Sequence, residues 1–204
     1  MTALVYCNGA QISDALFSEY RGQSDLLIAA DGGAYNVLAH GTLPDVIIGD
    51  LDSYTEPAPP GCRLIHDPDQ ETNDLQKALG YALKRAVTRA VVAGAIGDRL
   101  DHGLNNLSVL LEFSQRFDSL WMIDNFGRYF VAEPEQRLQT TAGKVVSLFP
   151  LSGRVDGITT VGLEYPLQNE ALENGVRNGC LNKASDAAVT ITHRSGALLL
   201  IVQH

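Results

Sequence analysis

Leu26-Leu27-Ile28-Ala29-Ala30-Asp31-Gly32-Gly33-Ala34 is an apolar run that stops at an aspartate and a glycine pair, and the same rhythm returns at Val46-Ile47-Ile48-Gly49-Asp50-Leu51-Asp52-Ser53. Apolar runs this short, with no polar alternation, read as strands buried on both faces, which requires helices above and below the sheet. Leu4-Val5-Tyr6 and Ala90-Val91-Val92-Ala93 have the same character. Between the runs, apolar spacing predicts helices over roughly 13–20, 33–40, 71–87 and 101–116. The third is the clearest, because Leu75, Ala78, Leu79, Ala82, Leu83, Ala86 and Val87 follow i, i+3, i+4, i+7 spacing. On the fourth, Leu100, Leu104, Leu107 and Leu111 form the expected core stripe, with Asp101, Asn105 and Ser108 on another face. Strands alternating with helices predict an α/β domain built on a doubly wound, mainly parallel sheet.

From about Leu120 the helical rhythm stops. Trp121-Met122-Ile123, Arg128-Tyr129-Phe130-Val131, Lys144 to Phe149, Ala188 to Thr192 and Ala197 to Val202 are short strand-like runs punctuated by Gly, Pro and Asn. This pattern predicts an antiparallel β-sandwich or barrel. The expected organisation is therefore an α/β domain over residues 1–120 and a β-rich domain over 121–204.

The chain of 204 residues is 45% hydrophobic and 19% charged, enough apolar material for a sizeable core, and its formal net charge is −9. That charge argues against nucleic acid or an anionic membrane as the main partner. An acidic protein that handles phosphates needs a divalent cation to offset its own repulsion. Cys7, Cys62 and Cys180 are odd in number and lack CxxC spacing, so they read as reduced thiols. The amino terminus has no basic start or long apolar run, and no segment reaches the length of a membrane span. The expected location is cytoplasmic.

Twelve of the fifteen aspartates precede residue 120, so the acidic chemistry belongs to the first half. Asp50 and Asp52 follow an apolar strand, and extended backbone would point both the same way, with Cα atoms about 6.5 Å apart. Carboxylates at the carboxyl end of a parallel strand suit Mg²⁺; a capped polar turn reads equally well from spacing. Asp69-Gln70-Glu71-Thr72-Asn73-Asp74 opens the strongest helix, with Asp69 or Thr72 as expected N-cap and Asp74 inside the helix as a further carboxylate. Lys77, one turn on, can pair with Asp74 or meet a phosphate. Gly94-Ala95-Ile96-Gly97-Asp98-Arg99-Leu100-Asp101-His102 is another strand-to-helix junction, where glycines let backbone approach phosphate and Arg99 offers a bidentate clamp. No lysine precedes Ser or Thr, which excludes a P-loop kinase. The acidic and glycine-rich junctions all follow strands and so converge on one crevice at the carboxyl edge of the sheet.

Taken together, these blocks resemble the thiamine pyrophosphokinase (thiamine diphosphokinase) family. The resemblance rests on Ala30 to Ala34, Pro44 to Ser53, Asp69 to Leu79 and Gly94 through Asn105. In the second half it rests on Gly157 to Thr160, Gly162 to Leu167, Gly179 to Asn182 and Gly196 to Leu200. It implies transfer of the β,γ-diphosphate of ATP to the hydroxyl of thiamine, giving thiamine diphosphate and AMP, with Mg²⁺ required. It also implies a homodimer with active sites between subunits. It assigns Asp50, Asp52 and Asp74 to the metal, and Asp31, Gly32, Gln70, Thr72, Lys77 and Arg99 to ATP and its phosphates. Arg99, Asp74 and Asp101 are the implied catalytic group, Asp101 either near the metal or assisting the attacking hydroxyl. Tyr165 is the implied aromatic beside thiamine and Asn182 the hydrogen-bonding partner of its aminopyrimidine. Two positions depart from the family pattern: Asp98 stands where Gly is usual, and Leu181 where Ser is common.

Overall fold

The computed structural model describes residues 1–97 and 99–204; Asp98, one of the two departures from the family pattern, lies outside the described residues. Contacts divide the chain into two units, Met1–Asn125 and Phe126–His204.

In the first unit, the apolar runs become strands β1 (Thr2–Tyr6), β2 (Leu26–Ala30), β3 (Val46–Gly49), β5 (Arg89–Ala93) and β6 (Ser119–Ile123), joined by an edge strand β4 (Arg63–His66). All pair in parallel, in the order β4-β3-β2-β1-β5-β6. Ala3, Leu4, Val5 and Tyr6 are wholly buried, as a strand covered on both faces must be. Leu4, Tyr6, Leu27, Ala29 and Ile47 join one core cluster with Phe17 and Val37, from helices α1 (Asp14–Gly22) and α2 (Gly33–Ala39). Helices α3 (Asp74–Lys84) and α4 (Leu100–Phe113) complete the unit, α3 packing on β1 to β3 and α4 against α3 and β6. The chain runs outward from β1 to β4 and then returns to place β5 on the other side of β1. The carboxyl ends of β1 and β5 therefore flank a topological switch point, where open α/β sheets leave a crevice.

The second unit holds two antiparallel sheets. Strand β13 (Leu198–Gln203) lies between β7 (Gly127–Val131) and β9 (Val146–Pro150). The other sheet runs β11 (Glu170–Glu173), β10 (Arg154–Val161), β12 (Ala188–Thr192), β8 (Glu135–Gln139). Val146, Leu148, Val155, Ile158, Leu172, Ile191, Leu198 and Leu200 are apolar residues of this unit with no measurable exposure. This is the α/β domain followed by an antiparallel β domain that the sequence predicts.

Several expectations change in detail. Trp121-Met122-Ile123, expected to open the second domain, lies in β6, which pairs in parallel with β5 and falls in the first unit. Strands β4, β8, β10 and β11 have no counterpart among the apolar runs, since polar residues such as Arg63, Glu135, Arg154 and Glu173 occupy or bound them and leave no continuous apolar stretch of strand length. Helix α3 begins at Asp74, with Asn73 rather than Asp69 or Thr72 as its N-cap. On α4 the expected core stripe is overturned: Leu100 is 78% and Leu104 57% exposed, while Gly103, Val109, Leu110 and Phe113 are buried. The two stripes are adjacent on the helix and both carry apolar residues, so periodicity alone does not choose between them. Among the described residues, no helix is long and apolar enough to cross a membrane.

Candidate active site

A cavity of about 450 Å³ opens at the carboxyl edge of the first unit's sheet. The loops after β1, β2, β3 and β5 and the start of α3 and α4 line it, including Asn8, Asp31, Gly32, Asp74, Gly94, Gly97 and Arg99. The loop after β1 is a wall that strand-to-helix reading missed. Cys7 N–H donates to the Ala93 carbonyl at 2.8 Å and Gly9 N–H to the Gly94 carbonyl at 2.8 Å, so this loop continues the β1–β5 pairing past the strand ends. The approach at Gly9 is so close that a Cβ there would lie 2.4 Å from the Gly94 carbonyl oxygen. Asn8-Gly9, a turn-favouring pair directly after an apolar strand, was the available signal.

Three carboxylates meet beside this cavity. Oxygen atoms of Asp31, Asp50 and Asp74 all lie within 4.8 Å of one another. Asp31 is 2% exposed and adopts φ +43°, a left-handed conformation that Asp tolerates better than most residues. Its two oxygens accept hydrogen bonds from the backbone N–H groups of Tyr54 (3.0 Å) and Ser53 (3.1 Å), which ties the loop after β3 to the end of β2. Asp50 accepts a hydrogen bond from Gln70 Nε2 at 3.0 Å, and this bond holds its carboxyl below the usual range. Asp74 occupies the first turn of α3, fixed by the capping box of Asn73 and Gln76. Burial pushes the Asp74 carboxyl up; Lys77 opposes the shift, and the charges of Asp31 and Asp50 add to it. The Lys77 ammonium lies 3.5 Å from Asp74 and is nearly buried. Gly49 makes the meeting possible, since a Cβ there would lie 2.6 Å from Asp31 Cβ and 2.9 Å from Asp74 Oδ1.

The group differs from the one spacing suggested. Asp52 is exposed and accepts a hydrogen bond from Ser53 Oγ at 3.0 Å, outside the trio, while Asp31 takes part in its place. Leu51 at φ +61° turns the chain between Asp50 and Asp52, so the alternation of an extended strand no longer applies. Three oxygen donors with one cation beside them suit a hard divalent ion such as Mg²⁺.

Among the residues expected on ATP, Asp31, Gly32 and Arg99 line the cavity, whereas Gln70, Thr72 and Lys77 are not among its lining residues. Gln70 is engaged with Asp50, Thr72 Oγ1 with Asp69 at 2.6 Å, and Lys77 with Asp74. Arg99 forms a two-pronged ion pair with Asp101 through Nε (3.1 Å) and a second guanidinium nitrogen. The Arg99 hydrogen bonds hold Asp101 at about 2, ionised across the neutral range.

In the second unit Tyr165 is 65% exposed and its hydroxyl interacts with Glu164. Asn182 is buried, and its side chain binds backbone: Oδ1 accepts from the N–H groups of Tyr165 (3.1 Å) and Lys183 (2.9 Å), and Nδ2 donates to the Tyr165 carbonyl (2.8 Å). Leu181 is exposed at φ +61°, its N–H donating to the buried Ser147 Oγ at 2.9 Å.

Known proteins align with both units. The family model for the thiamin pyrophosphokinase catalytic domain matches residues 17–122, and that for the thiamin pyrophosphokinase vitamin B1 binding domain matches residues 133–198. The thiamine pyrophosphokinase of Bacillus subtilis (strain 168) is 26% identical over 191 residues, covering 89% of this chain and 89% of the relative. Thiamin pyrophosphokinase 1 of Caenorhabditis elegans is 25% identical over 190 residues, covering 85% of this chain and 77% of the relative. The crystal structure of the Bacillus subtilis thiamine pyrophosphokinase matches with a TM-score of 0.85 at 25% identity, covering 100% of this chain and 99% of the other.

Proposed function

The chain belongs to the thiamin pyrophosphokinase family, and from that premise we propose that it transfers the β,γ-diphosphate of ATP to the hydroxyl of thiamine with the help of Mg²⁺. The observation that carries this reading is the oxygen-only trio of Asp31, Asp50 and Asp74 beside a cavity ringed by glycine junctions and Arg99. In the proposed reaction the thiamine oxygen forms a bond to the β-phosphorus as the bond from that phosphorus to the α,β-bridging oxygen breaks. The bridging oxygen leaves with AMP, and the hydroxyl proton is released to solvent.

Asp31, Asp50 and Asp74 would hold the cation, which when bound offsets the negative charge of the phosphate oxygens. Gln70 orients Asp50, and Lys77 supplies a fixed positive charge beside Asp74. Asp52, whose N–H donates to Asp50 Oδ1 at 3.3 Å, adds negative charge at the rim. Arg99 exchanges one partner for another: the fork that now grips Asp101 has the geometry to grip phosphate oxygens as charge spreads over them. While the pair is intact, the Arg99 hydrogen bonds hold Asp101 ionised, and its carboxylate orients the guanidinium towards the cavity mouth until phosphate takes its place. Gly32, Gly94 and Gly97 leave backbone free to approach the phosphates.

In the second unit, Tyr165 would offer its exposed face to the cationic thiazolium. Asn182 would act by holding Tyr165 in place. The homodimer implied by the family resemblance is part of the same proposal.

The test is to mix the purified protein with ATP, Mg²⁺ and thiamine and identify the products by mass spectrometry. Thiamine diphosphate with equimolar AMP is the expected result. Thiamine monophosphate with ADP would make the enzyme an ordinary kinase, and unreacted thiamine would overturn the reading.

A further inference from the structure

Helix α4 carries two consecutive asparagines, Asn105 and Asn106, and they face different surroundings. Asn105 is exposed. Asn106 is half-buried and makes two hydrogen bonds in opposite directions: its Nδ2 donates to the Ala95 carbonyl at 2.7 Å, and its Oδ1 accepts from Asn73 Nδ2 at 3.1 Å. Each end of this bridge is a junction of the cavity. Ala95 lies between Gly94 (φ +65°) and Gly97 (φ +113°), in the loop that leads to Arg99. Asn73 caps α3, its Oδ1 accepting from Gln76 N–H at 2.8 Å, and directly precedes Asp74.

We infer that Asn106 is a positioning residue which sets the spacing between the glycine junction after β5 and the carboxylate trio, acting through Ala95 on one side and Asn73 on the other. The inference rests on the diphosphate-transfer reading above.

Three physical points support it. The two glycines give the 94–97 loop more backbone freedom than any other residues would, so an external tether matters there. A primary amide is the side chain that carries a donor and an acceptor on one rigid plane, as this bridge requires; Asp lacks the donor and Leu lacks both. The two helices have a second tie, Gln76 Nε2 to Glu112 Oε2 at 2.8 Å, so docking of α3 on α4 does not depend on Asn106 alone. What Asn106 adds is a link to the loop.

The test uses Asn106→Leu, which keeps the volume and removes both bonds, and Asn73→Ser, which keeps a capping hydroxyl and removes only the bond to Asn106. Three quantities are measured for the full chain: the Kd for α,β-methylene-ATP with Mg²⁺ by calorimetry, steady-state kinetics with each substrate, and the melting temperature. Each variant is expected to weaken analogue binding or lower kcat by about 10- to 100-fold, the range found when a partner one shell out from a metal site is lost. Thiamine KM should stay within about twofold, and the double variant should be no worse than the weaker single, because both break one chain of bonds. Asn73→Ser keeps the question answerable if Asn106→Leu does not fold. A lower melting temperature with unchanged Kd and kcat would overturn the inference, as would additive effects. A wild-type protein that neither binds the analogue nor forms thiamine diphosphate would instead sink the underlying reading, and this one with it.

Discussion

Asn182 holds the backbone of Tyr165 from both sides, accepting its N–H at 3.1 Å and donating to its carbonyl at 2.8 Å. The amide expected to meet the aminopyrimidine is thereby committed largely to the protein itself, and the exposed ring of Tyr165 is set at a defined place. Removing the amide strands polar backbone groups near a buried site. Asn182→Ala should cost about 1–3 kcal/mol in urea unfolding and raise the thiamine KM while leaving the ATP KM near its original value. Tyr165→Ala should also raise the thiamine KM more than the ATP KM, with little loss of stability because the side chain is exposed. Equal effects on both substrates would mark the tyrosine as structural.

The carboxylate trio predicts a linkage between metal and stability. An ion that binds only the folded state stabilises it by mass action, by about 2.7 kcal/mol at a hundredfold excess over Kd. Mg²⁺ should therefore raise the melting temperature of the wild-type protein, and a chelator should reverse the shift. Asp50→Asn should abolish most of that response and raise the half-saturating Mg²⁺ in the transfer assay by at least about tenfold. A full Mg²⁺ response in the variant would remove Asp50 from the site.

Tyr6 is wholly buried at the end of β1, and its hydroxyl joins three elements. It accepts the Ile12 N–H at 3.1 Å and lies 3.2 Å from His40 Nε2, while His40 Nδ1 is 2.6 Å from Asp14. The His40 ring also stacks on Phe17 with centroids 4.1 Å apart. Tyr6→Phe keeps the ring but leaves a buried N–H without its acceptor. The expected loss is about 1–3 kcal/mol in chemical denaturation. A variant as stable as the wild type would show that water takes over the acceptor role.

The thiols are predicted to differ sharply in reactivity. Burial, with a further contribution from the Asp74 charge, pushes Cys7 up to about 12, so it stays protonated and unreactive at pH 8. Cys180 is exposed and should be alkylated first; Cys62, half-buried and also raised by burial, should follow slowly. Peptide mapping after iodoacetamide treatment should find Cys7 unlabelled until the protein is unfolded. The sign for stability follows: a thiol raised in the folded state favours folding while it is protonated. That contribution is lost as pH climbs from the unfolded value of 9.0 towards about 12.

Much of this molecule is legible in its amino-acid sequence. Apolar runs of β1, β2, β3 and β5 alternating with helical spacing state the α/β class, because backbone period is a local property carried by neighbouring residues. The positions of Asp31, Gly32, Asp50 and the 94–99 junction follow from the same rhythm, since the ends of parallel strands share one edge of the sheet. Polar strands such as β8 and β11 were not legible, as their cross-strand partners, not their composition, make them strands.

Other features were decided by the tertiary structure alone. Which carboxylates meet depended on the left-handed turns at Asp31 and Leu51 and on the space left by Gly49, none of which a strand period encodes. The inward face of α4 was chosen by what packs against Gly103, Leu110 and Phe113, although the leucine stripe beside it is the more apolar. The partners of Asn106 lie 11 and 33 residues away along the chain. The sequence by itself determined the period of each element and the edge where its chemistry collects. Side-chain partnership is a property of distance in the folded chain, so only the packed structure decided which of those residues touch.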